Sequence, residues 1–347
     1  MRLLFATGYG HLPDVVGGLQ TTLHELCLAL IEHGIEPTVL CGYAATINKE
    51  SARPRSDEIL GYRVIRMVDP VESLAAVAAA DEPDGIVVLT SDKTIPMIVA
   101  AMDTGIGVGV YIHNVEFREY GGILLPDPDI CYFANSQFTA DRLRSLFGLE
   151  STVLLPLVQP ENYRFEPLRE TVLYINPTLL KGVETFFSVA RLLPDLPFRV
   201  FESWNLTPAW RNYCLKRAAE LPNVEWCHPT RNLETLYGSA RLLIMPSVWE
   251  EAYGRSAAEA QVSGIPVIAS RRGGLVEAVG EGGLIIDADS DPSVWAESIH
   301  RLYHDESLYR ELSAKAQANA AREEADGDFI VNTLLTTLTD HLASCSR

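Results

Sequence analysis

The sequence predicts an α/β protein of two domains, each built around a doubly wound parallel sheet. The 347 residues suffice for two domains of ordinary size, and 47% hydrophobic with 21% charged residues is a globular composition. Short apolar runs alternate with helical patterns, which favours parallel strands joined by helices. Three prolines interrupt this alternation over residues 153–168, and that stretch is the predicted linker.

The N-terminal domain is predicted over residues 1–160. A buried strand at its start explains the first apolar run, which is too short for a signal sequence. A glycine-containing loop follows, and then a helix. Ser136 is a good N-cap and Gly148 a good stop for the last helix of this domain. The predicted strands are 3–6, 36–41, 86–89, 109–113 and 130–135, and the predicted helices are 19–33 and 137–147.

The C-terminal domain is predicted over residues 168–328 and continues the same alternation of strands and helices. An apolar helical pattern then closes the chain, and we assign residues 329–347 to this terminal helix. The strands predicted for the C-terminal domain are 171–175, 198–201, 224–226, 242–245 and 267–269, with a helix at 183–192.

The acidic character of the chain limits its partners. A net charge of −18 offers no evident basic face for nucleic acid or for anionic lipid. No run of 18 apolar residues occurs, so we expect no membrane span. The six cysteines have no C-x-x-C pair or metal-ligand spacing, which indicates reduced thiols and a cytoplasmic location.

The segment 246–287 carries the strongest functional signal. Glu251 and Glu259 stand eight positions apart. A helix that starts between them directs free N–H groups and the positive end of its dipole at an anion, which makes a phosphate site. The carboxylates flank that site at up to ~12 Å, at 1.5 Å per helical residue. A nucleotide-sugar fits this spacing, with its ribose diol on Glu259, its pyrophosphate on the amides and its sugar hydroxyls on Glu251. The residues predicted at the helix start are Tyr253, Gly254, Arg255 and Ser256.

Residues 246–277 resemble the glutamate–seven residues–glutamate signature of retaining glycosyltransferases with the GT-B fold, above all the GT4 family. An ordinary βαβ unit with solvated glutamates is the simpler explanation, but the length of the match favours the functional one. The resemblance implies two Rossmann-like domains facing across a cleft. The N-terminal domain then takes the acceptor and the C-terminal domain the nucleotide-sugar, and the terminal helix packs back on the N-terminal domain.

Further site residues follow from this resemblance. Gly17 and Gly18 match a glycine loop that lies against the donor. Lys181 matches a lysine that reaches the diphosphate and offsets charge on the leaving group. Asn176 stands where the family commonly has an arginine, so it can donate a hydrogen bond in the donor site but brings no charge. His113, at the end of a predicted strand, matches a histidine that faces the donor sugar.

The reaction that the resemblance implies is transfer of a sugar, most simply a hexose, from a nucleotide-diphosphate-sugar to an acceptor hydroxyl. Retention by front-face attack is expected, with Lys181, Glu251 and His113 as catalytic residues. We expect no metal and no cofactor, and the two Asp-x-Asp steps, at 127–129 and 287–289, resemble surface turns. The expected acceptor is a small molecule, a saccharide or a lipid-linked molecule; the sequence predicts neither the donor base nor the oligomeric state.

Other functions remain open to different degrees. A nucleotide-sugar epimerase of GT-B architecture would need carboxylates in the N-terminal domain, and none is convincing. A non-catalytic nucleotide-sugar-binding partner subunit is compatible with Asn176. A dinucleotide-dependent oxidoreductase is disfavoured, because Gly8-x-Gly10-x-x-Pro13 is not the G-x-G-x-x-G fingerprint and no acid follows the second strand.

Overall fold

A computed structural model describes residues 1–44, 47, 52–202 and 206–345, with nothing said of the side chains of residues 344 and 345. The chain forms two compact units. Unit 1 comprises Met1–Leu157 and Glu323–Arg347, and unit 2 comprises Val158–Arg322. The chain therefore passes from one unit to the other twice, after Leu157 and after Arg322. The last two residues of the predicted terminal helix lie outside the described residues.

Unit 1 contains an eight-stranded sheet in the order β3-β4-β2-β1-β5-β6-β7-β8, in which only the β3–β4 pairing is antiparallel. Its strands are β1 (Arg2–Ala6), β2 (Glu36–Cys41), β3 (Arg55–Asp57), β4 (Arg63–Arg66), β5 (Gly85–Leu89), β6 (Val108–Ile112), β7 (Ile130–Ala134) and β8 (Thr152–Val153). Its first four helices are α1 (Gly18–Glu32), α2 (Pro70–Asp81), α3 (Thr94–Met102) and α4 (Gln137–Phe147).

Unit 2 contains a six-stranded parallel sheet in the order β11-β10-β9-β12-β13-β14. Its strands are β9 (Thr171–Ile175), β10 (Phe198–Phe201), β11 (Val224–Cys227), β12 (Ala240–Met245), β13 (Val267–Ser270) and β14 (Gly283–Ile286). Its helices are α5 (Pro160–Tyr163), α6 (Val183–Leu192), α7 (Pro208–Ala219), α8 (Leu233–Tyr237), α9 (Arg255–Val262), α10 (Leu275–Val279), α11 (Pro292–His304) and α12 (Glu306–Ala320).

The last helix, α13 (Gly327–Cys345), returns to unit 1 and packs on α1 and β7. Two glycines of the sheet region make room for it. A Cβ at Gly107 would lie 1.8 Å from Leu342, and one at Gly109 would lie 2.9 Å from Leu338. None of the helices in the described part of the chain combines the length and the apolar character needed to cross a membrane.

Each sheet buries a hydrophobic core of its own, and each has a point where the strand order reverses. In unit 1 the order runs outward from β1 to β2 on one side and from β5 to β6 on the other. In unit 2 the reversal lies between β9 and β12. Ligands of open α/β sheets bind beyond the carboxyl ends of the strands at such a reversal. The loops after β1, β5, β9 and β12 are therefore the places to look for a site.

The predicted strands and helices are all found, with small differences at their ends. His113 and Asn135, predicted as strand ends, each lie one residue beyond the strand. Ser136 caps α4 through the N–H of Thr139 at 3.0 Å, and Gly148 ends that helix in the left-handed region (φ 66°).

Candidate active site

Backbone hydrogen bonds join the loops after β9 and β12 at the reversal point of unit 2. The N–H groups of Val248 and Trp249 donate to the carbonyl of Leu180 at 3.0 and 3.3 Å. Gly182 has a left-handed backbone (φ 77°), and a Cβ there would lie 1.8 Å from the carbonyl oxygen of Pro246. The position after Lys181 therefore requires a glycine, Gly182, so that the two loops can pack closely.

Lys181 and Glu251 meet across these fastened loops. The ammonium of Lys181 donates to Oε1 of Glu251, and the hydroxyl of Ser247 donates to the same oxygen at 2.7 Å. The two charged side chains are 15% and 10% exposed. The pair is thus largely removed from water. Its electrostatic interactions are therefore stronger than those of a pair on an open surface.

Two further glycines hold the backbone of Glu251. The N–H of Gly274 donates to its carbonyl at 2.7 Å. Gly273 is left-handed (φ 57°), and a Cβ there would lie 2.2 Å from the same carbonyl oxygen. Gly273 and Gly274 therefore serve to position Glu251.

The helix start predicted near Arg255 is present. Gly254 precedes α9 in a left-handed conformation (φ 116°), and no side chain caps the helix. The first N–H groups of an uncapped helix remain available to an anion. Tyr253, just before them, is 3% exposed, and its hydroxyl accepts a hydrogen bond from Arg322 at 2.8 Å.

Glu259 lies one helical turn into α9 and has three donors around its carboxylate. Arg255 donates through Nε to Oε1 at 2.7 Å, the hydroxyl of Tyr163 donates to Oε1 at 3.3 Å, and that of Tyr237 donates to Oε2 at 2.6 Å. Burial first, and then the charge of Glu259, raise the pKa of Tyr237 well above its usual value, so its hydroxyl keeps the proton that it donates. The ribose hydroxyl predicted to bind Glu259 would share the carboxylate with these donors.

Asn176 has an unusual backbone and an unsatisfied side chain. It follows β9 in the left-handed region (φ 68°), with its N–H on the carbonyl of Phe201 at 2.8 Å. The residue is 4% exposed, and its Oδ1 has no hydrogen-bond partner among the described residues. A buried acceptor without a donor is costly, so Asn176 is suited to a ligand that brings one.

In unit 1, the glycine pair begins α1. Gly17 precedes the helix, and a Cβ there would lie 2.7 Å from Oε1 of Gln20, whose Nε2 donates to the carbonyl of Gly10 at 3.1 Å. At Gly18 a Cβ would meet nothing within 4 Å. A Cβ at the first glycine would therefore displace only the end of the flexible Gln20 side chain, and the second glycine borders open space.

His113 follows β6 and is held through its backbone. Its N–H donates to Oγ1 of Thr90 at 3.3 Å, its carbonyl accepts from Nδ2 of Asn135 at 3.2 Å, and its ring lies 3.9 Å from that of Tyr111. The roles predicted for Gly17, Gly18 and His113 stay predictions.

The sequence reasoning missed several polar residues that hold these loops. In unit 1, Arg66 at the end of β4 is 0% exposed and pairs with Asp14 at 2.9 Å. Asp14 lies in the loop between β1 and α1. His11 of the same loop contacts the hydroxyl of Tyr62 at 2.8 Å, and burial lowers the pKa of this histidine to about 3. In unit 2, Tyr163 and Tyr237 hold Glu259. No motif marks any of them, because their partners are distant in the sequence.

The Asp-x-Asp steps are part of surface turns. Asp127 accepts from the N–H of Asp129 at 2.9 Å, and Asp287 and Asp289 pair with Arg271 and Arg272 at 2.8 and 3.2 Å. Across the described residues, no group of three or more His, Cys, Asp or Glu side chains is arranged to hold a metal ion.

Two family models match the chain. The model described as "Glycosyl transferases group 1" matches residues 179–320, and the one described as "Glycosyltransferase Family 4" matches residues 16–162. D-inositol 3-phosphate glycosyltransferase of Corynebacterium urealyticum is 34% identical over 157 residues, which cover 41% of this chain and 37% of that protein. The enzyme of the same name from Corynebacterium glutamicum is 44% identical over 94 residues, or 26% and 22% of the two chains. The chain thus matches well under half of the length of these relatives.

Solved structures resemble the chain over almost its whole length. Sucrose-phosphate synthase from Thermosynechococcus elongatus has a TM-score of 0.80 at 17% identity, covering 99% of this chain and 100% of that one. Anabaena HepE in complex with UDP-glucose has a TM-score of 0.79 at 15% identity, covering 98% and 100%. At such identities the likeness concerns the fold. The two family models show that the chain belongs to the GT4 glycosyltransferases, and the solved structures show that it has the GT-B fold.

Proposed function

We propose that the chain transfers a sugar from a nucleotide-diphosphate-sugar to an acceptor hydroxyl with retention at the anomeric carbon. The observation that carries this proposal is the arrangement at the reversal point of unit 2. A lysine–glutamate pair, Lys181 with Glu251, lies on the loops after β9 and β12. The uncapped start of α9 follows on the same segment, and Glu259 lies one turn further. Cation, helix start and two carboxylates are the groups that a donor of this class needs.

The leaving group is stabilised by positive charge from two sources. As the bond between the anomeric carbon and the phosphate oxygen breaks, the nucleoside diphosphate gains negative charge. The ammonium of Lys181 and the N–H groups at the start of α9 stabilise that charge. Donor binding extends the contact between the ammonium and Glu251 to a bridge between that carboxylate and the diphosphate. Glu251 then accepts hydrogen bonds from the hydroxyls of the sugar.

The same geometry supports retention. The carboxylate of Glu251 is held by Lys181 and Ser247, which favours a hydrogen-bonding role over that of a covalent nucleophile. The acceptor oxygen then attacks on the face from which the diphosphate departs. Its proton passes to the departing phosphate oxygen as the new bond to the anomeric carbon forms. This step consumes one donor and one acceptor and yields the glycoside and the nucleoside diphosphate.

The remaining donor contacts concern Glu259 and Asn176. We place one ribose hydroxyl on Glu259, beside the hydroxyls of Tyr163 and Tyr237. The unsatisfied Oδ1 of Asn176 accepts from a sugar hydroxyl, and its amide nitrogen donates to a phosphate oxygen. HepE is described with UDP-glucose, which supports a nucleotide-sugar as the donor class. The acceptor class remains a small molecule, a saccharide or a lipid-linked sugar.

The proposal assigns no task to a metal or a cofactor, because Lys181 and the helix start supply the positive charge that the leaving group requires. It also keeps the cytoplasm as the location. Among the residues that the structure describes, five cysteines are free thiols: Cys27, Cys41, Cys131, Cys214 and Cys227.

Glu251→Gln tests the proposal. Wild type is incubated with UDP-, GDP-, ADP- and dTDP-sugars and simple acceptors, and NMR gives the anomeric configuration of the product. The variant should lose transfer while it still binds the free nucleoside diphosphate. Glu220→Gln is the matched control, because Glu220 is an exposed carboxylate of the same unit, paired with Arg191 at 3.3 Å.

Three outcomes would contradict the proposal. An inverted product would exclude front-face attack. Transfer at the wild-type rate in Glu251→Gln would remove that residue from the mechanism. Nucleotide binding without turnover of any donor would instead favour the non-catalytic binding subunit.

A further inference from the structure

A surface pocket of unit 2 lies apart from the carboxylates of the candidate active site. It has a volume of about 660 Å³ and is bordered by the segment 164–169, by the end of α9 and by α12. Three of its lining residues are arginines: Arg164, Arg169 and Arg310. Glu166 is the acidic residue of the lining. The lining therefore has a positive balance on a chain whose net charge is −18, which is the opposite of what the composition leads one to expect.

Two of these arginines have no acidic partner in the described part of the chain. Arg310 pairs with Glu306 at 3.0 Å, but neither Arg164 nor Arg169 forms an ion pair with any described residue. Arg169 instead places its guanidinium 5.4 Å from the centre of the Tyr309 ring. The backbone of Arg169 is left-handed (φ 62°), which sets the direction in which its side chain leaves the main chain.

Tyr309 supplies the second observation. The residue lines the pocket and is 1% exposed, and its hydroxyl lies near that of Ser313 but makes no hydrogen bond of good geometry among the described residues. Ser313, which also lines the pocket, donates its own proton to the carbonyl of Gly264 at 2.6 Å. Buried hydroxyls nearly always have partners, so an unsatisfied one at a pocket wall indicates a ligand that completes it.

We propose that this arginine pocket binds a phosphate-bearing small molecule. Guanidinium groups match the oxygens of a phosphate in pairs, and a tyrosine hydroxyl donates to a third oxygen. The volume lies within the ~300–1,000 Å³ typical of small-molecule sites. A neutral sugar alone would leave the guanidinium charges uncompensated, and the phosphate is therefore the part of the ligand that the pocket selects.

The pocket is connected to Glu259 through a short segment of chain. The hydroxyl of Ser263, at the end of α9, donates to the carbonyl of Tyr163 and accepts from the N–H of Phe165 at 2.9 Å. Tyr163 in turn donates to Glu259 at 3.3 Å. A ligand on Arg164 restrains this segment and with it Tyr163. Occupancy of the pocket therefore strengthens nucleotide binding. This consequence rests on the proposed function, whereas the proposal of a phosphate site in the pocket does not rest on it.

The first test is a calorimetric titration of the full chain with inorganic phosphate and with glucose 6-phosphate at constant ionic strength. Glucose serves as the uncharged comparison. Wild type should bind both phosphates in the millimolar range or tighter and should not bind glucose. Loss of one charged contact costs ~10-fold in affinity, so Arg164→Gln with Arg169→Gln should weaken binding ~100-fold.

Three further variants locate the site. Arg191→Gln is the matched control, since it removes an exposed arginine of the same unit outside the pocket, and it should bind phosphate as wild type does. Lys181→Met should also retain phosphate binding, which separates the pocket from the candidate active site. Tyr309→Phe removes only the unsatisfied hydroxyl, so it should weaken phosphate binding by ~10-fold without lowering the unfolding midpoint of the free protein.

The proposal is overturned if neither phosphate binds wild type, or if Arg164→Gln with Arg169→Gln binds as well as Arg191→Gln does. Loss of phosphate binding in Lys181→Met alone would place the anion in the candidate active site instead. The link to Glu259 is measured separately, as the dissociation constant of the nucleoside diphosphate with and without glucose 6-phosphate. An unchanged constant overturns the link, and failure of any nucleotide to bind overturns the proposed function while the phosphate titration still decides the pocket.

Discussion

Glu251 and Glu259 are the same residue type eight positions apart, yet their surroundings differ in kind. Glu251 is paired with a lysine on a flexible stem and a serine hydroxyl, and glycines fix its backbone. Glu259 is enclosed by an arginine and two tyrosine hydroxyls. The first has a partner that can move to a ligand, and the second has partners that hold it in place. One glutamate is thus suited to the reacting sugar and the other to a fixed anchor for the nucleotide.

The largest effect is expected where the movable partner is removed. Lys181→Met deletes the cation that we propose stabilises the leaving diphosphate, so kcat should fall ~100- to 1,000-fold, as when one preorganised transition-state donor is lost. Steady-state rates against donor concentration measure it. Lys315→Met is the control, because that lysine pairs with Glu311 on the exposed face of α12. A kcat within a few-fold of wild type would remove Lys181 from the catalytic step.

The second prediction concerns the stability of unit 2. Glu259→Ala leaves the guanidinium of Arg255, 8% exposed, without its carboxylate. Removing one partner of a buried ion pair lowers the free energy of unfolding by about 3 kcal/mol or more. Glu251→Ala should cost less, about 1 kcal/mol, because the stem of Lys181 lets the ammonium reach water.

Tryptophan fluorescence measures both changes during urea unfolding. All five tryptophans lie between residues 204 and 295, so this signal reports on unit 2 and not on unit 1. Equal losses for the two variants would contradict the distinction drawn between the two glutamates.

A glycine substitution tests the fixed backbone of Glu251. Gly273→Ala combines a left-handed backbone with a Cβ at 2.2 Å from the carbonyl oxygen of Glu251. We expect a loss of about 2 kcal/mol in unfolding free energy from backbone strain, together with a lower kcat, since the loop that carries the carboxylate must shift. Gly18→Ala is the contrast, because a Cβ there meets nothing; its unfolding free energy, followed by circular dichroism because unit 1 has no tryptophan, should not fall.

The smallest effect belongs to a single donor of Glu259. Tyr237→Phe removes one charge-assisted hydrogen bond and should cost about 1.5 kcal/mol in unfolding free energy. KM for the donor should rise a few-fold while kcat stays constant, because the hydroxyl positions Glu259 and does not contact the reacting atoms. Tyr213→Phe, in an exposed pair with Glu184 at 2.7 Å, should change neither. A fall in kcat for Tyr237→Phe would contradict the anchoring role.

The fold was predictable because its signals are local. Short buried strands, Ser136 as an N-cap and Gly148 as a stop can all be recognised from neighbouring residues. The short strands β3 and β4 were not predicted. β3 (Arg55–Asp57) contains no apolar residue and β4 (Arg63–Arg66) contains two, so only the pairing of β4 with β2 and of β3 with β4 identifies them.

The candidate site was predictable in part. The resemblance brought Lys181, Glu251 and Glu259 into one site but could not assign their partners. Tyr163 reaches Glu259 from 96 positions away, and Lys181 reaches Glu251 from 70. Such contacts depend on how the chain returns to one edge of a sheet, and no local spacing encodes them. The left-handed backbone of Asn176 and its unsatisfied oxygen likewise become visible only in three dimensions.

The most direct test of the account is calorimetric titration of UDP, GDP, ADP and dTDP into wild type and into Glu259→Gln. That substitution keeps the size of the side chain but removes its charge. It therefore weakens the hydrogen bond that the side chain accepts from a ribose hydroxyl. One diphosphate should bind wild type, and the variant should bind it ~10-fold more weakly, the loss of one hydrogen bond to a charged group. Equal affinity in the two proteins, or no binding of any diphosphate, would contradict the assignment of Glu259 as the nucleotide anchor.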